Sequence, residues 1–93
     1  MSDVVKLLDG VKPTTLTGEF NVKYQPAMIY GENLSGDIAL EAKTETGWIP
    51  VLEEGTPVVL SATGTNPLGI YSNGKFRVVA GSLGGTEKVY FDQ

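Results

Sequence analysis

The sequence has 93 residues, enough for one domain around a single core. Hydrophobic residues make up 41% and charged residues 19%, which excludes a disordered tail and a membrane-spanning bundle. There is no His and no Cys, and the formal net charge is -4. The commonest general base, the thiol nucleophile, every disulfide and the basic patch that grips nucleic acid are therefore missing.

Asp3 to Asp9 reads in more than one way. Val4, Leu7 and Leu8 share a face on two helical turns, with Ser2 as cap and Gly10 as stop, and the same residues read equally as an extended arm or a first edge strand. Residues 1–15 are accordingly set apart as arm or edge strand, and 16–93 as a single sandwich domain. Glu19 to Tyr24 alternates cleanly, with Phe20, Val22 and Tyr24 on one face, and Pro26 closes that strand. Ala27 to Tyr30 is a short apolar strand ended by Gly31. Asp37 to Lys43 alternates again, with Ile38, Leu40 and Ala42 inward.

Glu45-Thr46-Gly47 predicts a hairpin into Trp48 to Leu52, where Pro50 marks an edge or a bulge. Glu53-Glu54-Gly55 turns the chain into Pro57 to Ala62. Asn73-Gly74, between Leu68 to Tyr71 and Lys75 to Val79, predicts a tight hairpin with Phe76 and Val78 on the core face. A glycine loop from Gly81 to Gly85 leads to a last strand, Lys88 to Phe91. The expectation is an all-β fold: a small antiparallel β-sandwich, immunoglobulin-like or jelly-roll-like, of about eight short hairpin-connected strands.

Chemistry-bearing patterns are sparse. Glu53-Glu54 and the pair Glu41 with Glu45 are the acidic neighbours, and turn carboxylates of this kind are normally solvated. Gly64 and Gly69 have P-loop spacing, but Ile70-Tyr71 follows where Lys-Ser/Thr is needed. Without His or Cys only an oxygen-ligand cation site remains, and Asn33, Asp37, Glu53 and Glu54 do not form a calcium-loop motif. The expectation is no catalytic residue, no cofactor and no metal. Trp48 is expected between the sheets, while two or more aromatics exposed together would make a sugar platform. No basic n-region or long apolar run marks a signal peptide or a bilayer span, so synthesis in a cytoplasm is expected, with neither nucleic acid nor membrane as partner.

The stretch from Gly36 to Gly81, about half the chain, carries a resemblance. Gly47-Trp48-Ile49-Pro50-Val51 on a tight turn is followed by Asn73-Gly74-Lys75-Phe76-Arg77-Val78-Val79. This pairing of a Trp-bearing hairpin with a Gly-Lys-aromatic-Arg-Val strand resembles the small β-sandwich modules among the virion proteins of tailed bacteriophages. The chain is similar also to immunoglobulin-like domains, with Phe76 at the corner-tyrosine place and no cysteine pair. The phage resemblance implies a non-enzymatic virion structural protein, foremost a capsid decoration (cement) protein that braces the head shell. It implies the major capsid protein or another virion protein as partner, a homo-oligomer with a trimer favoured, and a place in the virion. A terminal arm from Met1 to Leu16 would then dock, with Val4, Val5, Leu7, Leu8 and Val11 as its interface residues. The alternative is a tail- or fibre-associated, surface glycan-binding sandwich module.

Overall fold

The computed structural model describes residues 4–11 and 15–93. Eleven strands and no helix are present among them: β1 (Val4–Asp9), β2 (Thr17–Val22), β3 (Ala27–Glu32), β4 (Ile38–Lys43), β5 (Trp48–Pro50), β6 (Leu52–Glu53), β7 (Thr56–Pro57), β8 (Val59–Leu60), β9 (Leu68–Ile70), β10 (Gly74–Ala80) and β11 (Lys88–Asp92). One sheet runs β1-β11-β3-β9 and the other β2-β10-β4-β5, with β8 also pairing to β4. All these pairings are antiparallel. The fold is a small all-β sandwich, as the alternating segments predict.

Alternation places the core. Ile38 and Leu40 of β4, Phe76, Val78 and Ala80 of β10, and Phe20 and Val22 of β2 face inward from one sheet. Ile29, Leu68, Ile70, Val89 and Phe91 meet them from the other. Phe20 stacks on its register partner Phe76 at 5.9 Å and reaches across the sandwich to Phe91 at 4.6 Å. Three aromatic rings thus tie three strands in two sheets, each contributing apolar area that no aliphatic side chain here matches.

The connections differ from the hairpins expected. Consecutive strands alternate between the sheets at almost every step, so β9 pairs with β3 while β10 lies between β2 and β4 in the opposite sheet. Asn73-Gly74 is therefore a crossover between sheets and sets no hairpin register. Gly74, at φ 146°, already pairs with Val22 as the first residue of β10. Phe76 and Val78 do face the core. The two-residue turn with both φ values positive lies elsewhere, at Glu54 (φ 51°) and Gly55 (φ 80°) between β6 and β7. The Glu45-Thr46-Gly47 turn is a hairpin as expected, closed by the Thr44 N–H donating to Gly47 O at 2.7 Å.

Pro50 and Pro57 explain why eleven short strands appear instead of about eight. Each lacks a donor, so the long hairpin from Trp48 to Leu60 pairs in pieces. Its inner ends bond β4 and its tip pairs only with itself. Trp48 is not between the sheets. Its register partner is Lys43 on the outer face, where the Arg77 guanidinium lies 4.6 Å from the ring centroid and the Lys43 ammonium 5.8 Å. Arg77 also pairs with Glu41 at 2.6 Å, so a cation-rich outer row holds the indole that sequence hydrophobicity assigns to the core.

Candidate interaction surface

The N-terminal segment is a strand over Val4–Asp9, hydrogen-bonded to β11 at the edge of its sheet. The helical alternative does not form. Its apparent helical spacing has a strand explanation, because the register shifts between Lys6 and Leu8 and leaves Leu7 in a bulge. Val4 and Lys6 turn to the outer face, and after the bulge Leu8 turns inward. An arm reaching to Met1 and across Lys12 to Thr14 lies partly outside the described residues.

The five expected interface residues divide accordingly. Leu8 is 2% exposed and sits in the domain's own core, opposite Val89, so it is not available to a partner. Leu7 packs in part against that core, and its carbonyl lies where only a glycine at position 18 leaves room: a Cβ on Gly18 would stand 2.7 Å from Leu7 O. Val4 (52%), Val5 (49%) and Val11 (55%) are exposed. Leu16 (42%) joins the exposed apolar set and was not singled out by the sequence, because no periodicity includes it.

An edge strand offers a row of unpaired backbone groups to another chain, and this one carries apolar side chains as well. Its polar guards are Lys6 and Asp9, paired at 2.9 Å. That pairing raises the Lys6 pKa, and the Lys6 bond with a further bond from the Val11 N–H lowers that of Asp9. The far end of β1 is pinned by the Gly10 N–H donating to Glu87 O at 2.6 Å. The edge is thus rigid at Asp9 and Gly10 and open along Val4 to Lys6.

Glu54 occupies the exposed turn, and Glu41 is neutralised by Arg77. Among the described residues no group of three or more Asp or Glu is placed to hold a metal ion. Glu87, which the sequence reading passed over, is buried. Its own N–H, foremost, then the Gly84 N–H at 3.2 Å and the Ser35 hydroxyl at 3.0 Å donate to its carboxylate and hold its pKa below the usual glutamate value. It fastens the Gly81 to Gly85 loop to the Ser35 turn, a structural task. Comparison with family models, curated proteins and solved structures finds no match to this chain.

Proposed function

We propose that this chain is a non-enzymatic structural module that binds a protein shell through its β1 edge. The specific case suggested by the phage resemblance is a capsid decoration protein, carried on the head of a tailed bacteriophage as a homo-oligomer. The observation that supports this reading is that Val4 and Val5, on a strand at the edge of its sheet, are exposed, as is Val11 just past that strand's end. A solvated edge normally defends itself with charge, proline or covering structure. Here one lysine, already paired to Asp9, is the guard along Val4 to Lys6.

Burying such side chains stabilises a contact by roughly 25 cal/mol per Å² of apolar area, before the cost of association. A shell repeats its surface many times, so modest affinity per copy suffices once several copies act together. The test is co-sedimentation of the purified full chain with shells assembled from the capsid protein of the phage that encodes it. Saturable pelleting at a fixed number of copies per shell is expected. Absence of the protein from the pelleted shells would overturn the reading.

A further inference from the structure

A groove of about 490 Å³ lies on the outer side of the β1-β11-β3-β9 sheet, where β3, β9 and the end of β11 meet. Its volume falls among those of small-molecule clefts. Met28 and Gly69 are register partners on its floor, Pro26, Pro67 and Tyr71 wall it, and Asp92 stands at its polar end.

Two features of this groove bear on what it could hold. Tyr71 is 74% exposed, yet its hydroxyl end lies down over Gly69: a Cβ there would meet the phenolic oxygen at 2.7 Å and ring carbons from 2.9 Å. The glycine lets the ring rest on the sheet beside the groove with most of its surface in solvent. Asp92 Oδ1 is buried and has no hydrogen-bond partner among the described residues. Its register neighbours on either side are Val4 and Met28, whose side chains have nothing to donate. A buried acceptor left unpaired is costly, and a donor from outside the chain is one way to satisfy it. The neighbouring Gln93 amide is committed elsewhere. Its Oε1 accepts from the Lys23 N–H at 3.0 Å and the Tyr24 N–H at 3.4 Å, and its Nε2 donates to Asn21 O.

The groove therefore combines an exposed aromatic ring, an apolar wall of proline and methionine, and one acceptor in need of a donor. A pyranose ring complements all three, with a C–H face for the aromatic and hydroxyl donors for the carboxylate. A simple ammonium would satisfy Asp92 but leave the apolar wall uncovered. We propose that this groove is a saccharide-binding site in which Tyr71 is the stacking platform, Asp92 accepts a sugar hydroxyl, and Gly69 positions the ring. The proposal is independent of shell docking, because neither Val4 nor Val11 lines the groove.

The test is a ¹H–¹⁵N NMR titration of the full chain with the methyl glycosides of glucose, galactose, mannose and N-acetylglucosamine, and in parallel with n-butylammonium chloride. Saturable shifts confined to the amides of Met28, Gly69, Tyr71 and Asp92 are expected with at least one glycoside. Asp92→Asn, nearly isosteric, and Gly69→Ala, whose methyl displaces the Tyr71 ring from the groove floor, should each weaken that binding about tenfold or more, a loss of about 1.4 kcal/mol. Ile49→Thr, on the far hairpin, should leave it unchanged. The same spectra report whether each variant is folded. No glycoside shifting these amides, shifts with butylammonium alone, or glycoside binding indifferent to Asp92→Asn would each overturn the proposal.

Discussion

Glu87 is a buried carboxylate whose partners are all donors from its own chain, and its charge is useful only while it is ionised. A carboxyl with its folded-state pKa depressed contributes stability above the unfolded-state value and loses it as pH falls through the folded-state value. Asp9, held down by Lys6 and the Val11 N–H, acts in the same sense. Thermal melts should therefore hold steady at neutral pH and fall increasingly below about pH 4. Glu87→Gln should lower the neutral melting temperature and flatten the acid slope; a slope equal to the parent's would contradict this account of Glu87. Gly18 gives a second check, on packing. A Cβ there would press on the Leu7 carbonyl, which belongs to the backbone and cannot swing aside. Gly18→Ala should cost about 1–3 kcal/mol in denaturant melts, as overpacked sites do. A neutral result would mean that the β1 bulge does not rest on β2.

At the scale of elements, the sequence is legible wherever one face is wet and the other dry. Phe20 and Val22, and Ile38, Leu40 and Ala42, reveal their strands because side chains alternate at period two. Three features escape this rule for separate reasons. β1 contains a bulge, which puts Leu7 and Leu8 on the protein side together and imitates helical spacing. Trp48 is large and apolar yet serves as a partner for Arg77 on an outer face, a choice that hydrophobicity cannot encode. Asn73-Gly74 has hairpin chemistry but joins two sheets, because which strands pair depends on contacts remote in sequence. Two of the positive-φ glycines, Gly74 and Gly55, should consequently respond differently to substitution. Gly74→Val strains the entry to central strand β10 and should destabilise the fold by about 1–3 kcal/mol. Gly55→Val strains a peripheral hairpin bonded only to itself at its tip, and its effect on the global denaturant midpoint should be distinctly smaller. Equal losses would contradict the topology.

For the whole molecule, the candidate surface was half legible. A run of apolar residues near the start was visible, but its division into buried Leu8 and exposed Val4, Val5 and Val11 required the structure. The division changes what a truncation means. Removing β1 takes away Leu8, bares the β11 edge and frees Glu87 O, so the shortened chain should not fold stably. Leu8→Ala alone should cost about 2–5 kcal/mol, typical of a buried leucine deletion. Docking is better probed by leaving the strand in place and changing only exposed side chains on it and just past its end. The central claim is that β1 folds through one set of residues and docks through another. The deciding measurement is co-sedimentation with shells of the double variant Val4→Lys, Val11→Lys beside the parent, each first checked by a thermal melt. The account predicts a melt close to the parent's, since both positions are exposed and edge lysines are tolerated, together with loss of most shell binding. A folded double variant that pellets as the parent does would contradict it.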